Sequence, residues 1–242
     1  MIHYHGAPIS GGYKEGVKFY QKRDVLISFA RKNQQSVITE ICRSFVLDNG
    51  AFSLWKSGKQ TDWDGFYKWV DQWRKHPRFE WFLVPDVIGG TDKENDELLF
   101  QCPLPARISV PVYHLGESYK RLNQMVEKYQ RIAIGSTKGF GLKTMQFWNE
   151  MRKIFEVVCD QDGVPRVKIH GLRMLDPEIV KNFPFSSCDS AGACILSCYD
   201  HEWSFPYAPV TKAGRAALYA DKVEMVQSPS FYKFKPIQME LI

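Results

Sequence analysis

Short, continuously apolar runs alternate along this chain with longer segments whose apolar residues recur every three or four positions. Val25-Leu26-Ile27-Ser28-Phe29-Ala30 is a run of the first kind. A strand with one wet face would alternate, so this one reads as buried on both faces. Residues 45–48, 79–85, 108–113, 131–135, 167–171 and 184–189 read the same way, residues 2–6 form a short opening strand, and residues 193–198 are expected to supply the last strand. His3 and His5 alternate with Ile2 and Tyr4, which puts both histidines on one strand face. With no third ligand beside them, a structural role is expected.

The intervening segments carry helical periodicity and its punctuation. Thr61, with Asp64 three residues on, is expected to cap a helix whose apolar stripe is Trp63, Phe66, Val70 and Trp73, closed near Pro77. Thr91-Asp92-Lys93-Glu94 reads as a capping box, and Pro103 stops the helix that it opens. Glu117 starts a helix carrying Leu122, Met125, Val126 and Tyr129. Further helices follow over 143–157, from Asp176-Pro177-Glu178 with proline at the first turn, and over 213–221.

Strand, loop and helix thus recur seven or eight times with short connections, which gives a parallel sheet. No Gly-x-Gly-x-x-Gly follows any strand, and polar signals fall at many strand ends instead of at one switch point. The expectation is therefore an α/β chain folded as a (β/α)8 TIM barrel, one domain spanning residues 1–242. Composition agrees: 242 residues, 44% hydrophobic and 24% charged, are ordinary for a globular protein that buries its core without disulfides. The six scattered cysteines, with no secretory signal before them, suggest reduced thiols and a cytoplasmic location, the host cytoplasm if the chain is phage-encoded. No run approaches a membrane span. A net charge of +5 permits a polyanionic partner.

Three of these strands end in aspartate with glycine close behind: Phe45-Val46-Leu47-Asp48-Asn49-Gly50, Phe82-Leu83-Val84-Pro85-Asp86-Val87-Ile88-Gly89-Gly90, and Phe185-Ser186-Ser187-Cys188-Asp189-Ser190-Ala191-Gly192. In a barrel the carboxyl ends of the strands form one rim, so Asp48, Asp86, His114, Gly135 and Asp189 would face a common cavity. Carboxylates sharing a pocket split their pKa values, leaving one ionised nucleophile and one protonated acid. Asp189 is the expected nucleophile.

Four segments carry a resemblance. Asp48-Asn49-Gly50-Ala51-Phe52-Ser53 resembles the Asp-Ser-Gly-Gly-Phe-Gln segment of tRNA-guanine transglycosylases. Val112-Tyr113-His114-Leu115-Gly116 stands where that family has Val-Gln-Gly-Gly, Ile132-Ala133-Ile134-Gly135-Ser136 is similar to its Ala-Ile-Gly-Gly, and Cys188-Asp189 falls at its nucleophilic aspartate. The likeness covers about 45–192. It implies a TIM-barrel pentosyltransferase that exchanges a purine base on a nucleic acid without cutting the backbone. Asp189 would attack the sugar C1′. Asp48 would protonate the departing guanine and deprotonate the incoming base. Asp86 would hold the base edge, and His114 would replace a base-reading glutamine. Gly50, Phe52, Gly135 and Ser136 would contact the base. Independently of the resemblance, Lys138 and Arg173 are basic residues near strand ends and are expected to meet phosphates.

The chain departs from that family in two places. The Cys-x-Cys-x-x-Cys…His zinc cluster is missing, and Cys194-x₃-Cys198-x₂-His201 has an unsuitable spacing, so no metal or other cofactor is expected. Ser190-Ala191-Gly192 replaces an arginine-containing segment after the nucleophile. A compact, zinc-free relative resembles the DpdA-type proteins of phages and bacteria, which place 7-deazaguanines into DNA. That resemblance implies DNA, guanine and a 7-deazaguanine base as partners. The alternatives are tRNA as the polymer, a nucleosidase or deoxyribosyltransferase acting on free nucleosides, and an inactive barrel that binds DNA or a protein.

Overall fold

A computed structural model of the chain describes residues 1–137, 139–198 and 209–234. Its strands are β1 (Ile2–Gly6), β2 (Asp24–Ser28), β3 (Ser44–Asp48), β4 (Phe79–Leu83), β5 (Ser109–Val110), β6 (Val112–His114), β7 (Arg131–Gly135), β8 (Lys168–Leu172) and β9 (Ser187–Ser190). All pair in parallel, in the order β5-β4-β3-β2-β1-β9-β8-β7-β6. The two strands at the ends of that order are consecutive in the chain and separated by Pro111 alone. Val84 N–H donates to the carbonyl of Val110 on one side, and Ala133 N–H to that of Pro111 on the other, both at 2.9 Å. The sheet therefore closes into a barrel in which β5 and β6 act as one stave. Proline lacks the N–H that a ladder uses, yet its carbonyl still accepts, so the seam holds at this position.

The helices are α1 (Tyr13–Tyr20), α2 (Gln35–Ile41), α3 (Ala51–Ser57), α4 (Trp63–Trp73), α5 (Asp92–Phe100), α6 (Tyr119–Lys128), α7 (Met145–Val158), α8 (Pro177–Val180), α9 (Gly192–Leu196) and α10 (Lys212–Glu224). Each stave is followed by at least one of them, the (β/α)8 TIM-barrel arrangement expected from the sequence. The apolar residues divide accordingly. Tyr4, Leu26, Val46, Trp81, Leu83, Val110, Val112 and Ala133 fill the barrel. Their strand neighbours, such as Phe45, Leu47, Ile132 and Ile134, point outward into two larger cores beneath the helices. His3 and His5 lie on the outward face, where their Nε2 atoms meet the Val226 carbonyl at 2.9 Å and Glu224 Oε1 at 2.7 Å, tying β1 to α10 and the turn after it.

Four local expectations change. Residues 193–198 give the helix α9 and the turn after it instead of a strand. β9 already pairs with β1, so the barrel has no vacant place, and a short apolar run cannot distinguish strand from buried helix. Helices α1, α2 and α3 stand where no helix was expected. Asp62, not Thr61, caps α4, its Oδ1 accepting from Gly65 N–H at 2.8 Å. Ser118 caps α6, and Glu117 just before it is drawn inward to His114. The capping box Thr91–Glu94 and proline in the first turn of α8 are as expected. No helix among the described residues is long and apolar enough to cross a membrane.

The core under α7 depends on a cluster of rings. Phe155 is fully buried, stacked on Phe183 at 4.8 Å and set edge-on to Phe185 at 5.4 Å. Phe155→Ala is expected to lower stability by about 3–5 kcal/mol, seen as a lower urea midpoint with little change in slope.

Candidate active site

A cavity of about 580 Å³ opens at the carboxyl ends of the barrel strands. Asp48, Asp86, His114 and Asp189 all line it, and so do Phe52, Gly135, Ser136 and Arg173. The fold therefore gathers eight of the residues singled out in the sequence. Gly50 is not among the lining residues; it stands between Asn49 and Ala51, which are, at the entry to α3. Lys138 and His201 are outside the described residues. Cys194 and Cys198 are engaged elsewhere, with Tyr20 Oη at 3.1 Å and Ser10 Oγ at 2.9 Å.

Strand alternation decides which side chains arrive. Ser44, Val46 and Asp48 share the inward face of β3, so Asp48 projects into the mouth. The chain then turns sharply. Gly50 has φ +78°, and a Cβ there would sit 2.9 Å from both the N and Cβ atoms of Ala30. Glycine is required on both counts. Its N–H donates to Asp48 Oδ2 at 3.2 Å. Between them, buried Asn49 donates to the Val84 carbonyl at 2.8 Å and to Asp86 Oδ1 at 2.7 Å, while its own Oδ1 accepts the Ala51 N–H that opens α3. One side chain thus clamps the end of β3 to the end of β4.

Asp86 is held from the other side by His114, whose Nε2 lies 2.9 Å from Asp86 Oδ2 and whose Nδ1 lies 3.2 Å from Glu117 Oε1. Burial opposes a charge on this ring, but the two carboxylates outweigh it and raise His114 to about 9. At neutral pH it is an imidazolium donating from both nitrogens. Glu117 also accepts from Asn95 and Arg121, and Arg121 reaches outward to Asp96 at 2.7 Å. His114 therefore neutralises Asp86 and has neither ring nitrogen left to read a ligand as a glutamine would.

Among the described residues no cation pairs with Asp48. Burial pushes its carboxyl up to about 7, and the charges of Asp189 and Asp86 add to the rise, against the opposing effects of the Ser28 hydroxyl and the Gly50 N–H. Asp48 therefore holds a proton close to neutrality.

Asp189 is arranged differently. Its Oδ1 receives the Arg173 backbone N–H at 2.9 Å and faces His170 Nε2 at 3.2 Å. Arg173 adopts φ +58°, a left-handed conformation that turns its amide toward the carboxylate. Its guanidinium lies over the Phe52 ring at 3.8 Å and reaches the Ser136 carbonyl at 3.3 Å. This arginine, from the end of β8, occupies the rim near Asp189, where the segment 190–192 offers none.

Asn49, Glu117 and His170 were not singled out from the sequence. For Asn49 the adjacent Asp-x-Gly turn was the available signal. For His170 it was the period-two alternation of Lys168, His170 and Leu172 into the barrel. Chemically, the mouth offers a protonated carboxyl, a carboxylate anchored through one oxygen, and a third carboxylate paired with an imidazolium. Those are the parts needed for attack at a carbon centre with proton transfer to a leaving group.

The elevated Asp48 value has a consequence for stability. A carboxyl whose folded pKa lies above its unfolded value binds protons more tightly when folded. Its contribution is full below about 4 and is lost as pH rises through about 7. Urea unfolding of wild type and Asp48→Asn is therefore expected to show the wild type losing stability relative to the variant between pH 4 and 7, with the difference flat above pH 8.

No protein-family model, no curated protein and no solved structure matches this chain.

Proposed function

We propose that this chain is a base-exchange transglycosylase that replaces guanine in DNA with a 7-deazaguanine base through a covalent aspartyl-glycosyl intermediate. The observation that carries the proposal is the contrast between two carboxyls in one cavity. Asp48 retains a proton to near pH 7, whereas Asp189 has its Oδ1 occupied by donors and its Oδ2 without a hydrogen-bond partner among the described residues. A retaining displacement at C1′ needs that pair.

Asp189 Oδ2 attacks C1′ as the bond from C1′ to the guanine nitrogen breaks, and the proton of Asp48 passes to the departing base. The incoming 7-deazaguanine returns a proton to Asp48. Its ring nitrogen then displaces Asp189 from C1′, restoring the carboxylate. No electrons are exchanged with an outside acceptor, so the cycle needs no redox cofactor. Asp86, neutralised by His114, keeps lone pairs for the N–H groups of a guanine edge, and Phe52 provides a ring face beside them. A target base reaches such a cavity by leaving its stack. The mild positive charge and Arg173 at the rim favour a polyanion over a free nucleoside. DNA is preferred to tRNA by the resemblance to compact zinc-free relatives.

The test is incorporation of labelled guanine or 7-cyano-7-deazaguanine into DNA and tRNA offered separately. Label entering DNA, and absent with Asp189→Ala, is the expected result. Label in tRNA alone would retain the chemistry and overturn the substrate, while cleavage of free nucleosides with no label in either polymer would overturn the transferase reading. In single-turnover experiments, guanine release is expected to slow as pH rises through about 7, where Asp48 loses its proton, and Asp48→Asn is expected to remove that dependence together with most of the rate.

A further inference from the structure

Beneath Asp189, inside the barrel, a chain of polar groups runs through buried His170 and Ser187 to half-buried Arg131. His170 and Ser187 are both fully buried, and β8 and β9 pair with these two residues side by side. Ser187 Oγ lies 2.9 Å from His170 Nδ1 and accepts from Arg131 Nη1 at 3.1 Å. The imidazole is held edge-on by Trp81 at 4.8 Å and by Tyr4 at 5.9 Å.

The donors in this chain admit one arrangement. A guanidinium only donates, so Ser187 Oγ accepts from Arg131 and its own hydrogen must go elsewhere. The described structure gives Ser187 one other neighbour, His170 Nδ1. If Nδ1 carried the proton, the buried Ser187 hydroxyl would have no acceptor, and a bare Nε2 lone pair would face the Asp189 carboxylate. An imidazolium would also leave that hydroxyl unpaired, and burial together with Arg131 disfavours the charged ring. The ring is therefore neutral, accepting at Nδ1 and donating from Nε2.

We infer that His170 is a positioning residue for Asp189: the relay Arg131–Ser187–His170 fixes the Nε2–H tautomer, which anchors Oδ1 and leaves Oδ2 as the nucleophilic oxygen. The hydrogen-bond assignment is independent of the proposed reaction, whereas its effect on turnover rests on that reading. In the glycosyl ester, Oδ2 is bonded to C1′ and Oδ1 becomes the carbonyl oxygen. The donors from His170 and Arg173 remain on Oδ1. When the incoming base breaks the C1′–Oδ2 bond, the electron pair returns to a carboxylate that these donors already stabilise, much as in an oxyanion hole. Asp48 handles the proton and His170 keeps its own throughout.

The first measurement is long-range ¹H–¹⁵N correlation on wild-type protein labelled at histidine, with His170→Gln used for assignment. The expected signal is a neutral ring protonated at Nε2 that does not titrate between pH 6.5 and 8.5. Protonation at Nδ1, or an imidazolium at pH 7, would overturn the relay. Ser187→Ala is expected to raise the Nδ1–H population, and an unchanged tautomer there would also count against it.

The second measurement is single-turnover base release. His170→Leu is expected to slow it about a hundredfold, with substrate affinity retained. His170→Gln, which keeps an N–H facing Asp189, should recover part of the loss. Equal loss in both variants with intact folding, or loss of affinity alone, would overturn the positioning role. A wild-type protein that exchanges no base would instead defeat the proposed function, and the histidine spectrum would still decide the relay.

Discussion

Closure of the parallel sheet is the constraint on which everything else depends. An open sheet would have two free edges and would spread the three aspartates along a line. Joining those edges across Pro111 brings the carboxyl ends of β3, β4 and β9 around one mouth. Closure also fixes which side chains enter, because each stave contributes alternate residues to the interior. Asp48 and Asp189 arrive by that rule, whereas Asp86 lies beyond the end of β4 and needs the Asn49 clamp to hold it.

Once gathered, the carboxylates repel, and the structure relieves each by a different means. Asp86 is paired with an imidazolium, itself tied through Glu117 to Arg121 and so to Asp96 near the surface. Asp48 keeps a proton. Asp189 receives two N–H donors at one oxygen. Had all three been met by cations, the cavity would hold salt bridges and no reactive group. The separate solutions give the groups different chemical character, and that difference is the ground for the functional reading.

Much of this was legible in the sequence, for physical reasons that can be named. Aspartate followed by glycine after an apolar run marks a strand end with a tight turn, and three such marks gave the three carboxylates. The continuous apolar runs gave the staves because both faces of a barrel strand are covered. Helix α3 was hidden because Phe52 turns to the cavity, Trp55 is exposed and Ala51 is its one buried residue, so no apolar stripe toward a core shows. Residues 193–198 misled in the opposite sense, being apolar throughout. His114 was recognised as a residue of the mouth, but the sequence could not show that both its nitrogens are committed, since that depends on Glu117 turning back before α6. His170 was hidden more deeply still, because its partners Ser187 and Asp189 become neighbours only when β9 pairs beside β8.

Arg173 shows how local strain and site geometry are linked. A left-handed conformation is unfavourable for arginine, and glycine would adopt it at no steric cost. The turn is nevertheless required, since it points the amide of residue 173 at Asp189 Oδ1. Glycine would preserve that amide but remove the guanidinium that covers Phe52 and reaches Ser136. The chain therefore tolerates strain at this position to place a backbone donor against Asp189 and a cation at the rim with one residue. The two roles use opposite ends of the residue: the amide holds Asp189 Oδ1 within the mouth, while the guanidinium covers the Phe52 ring and ties it to the Ser136 carbonyl.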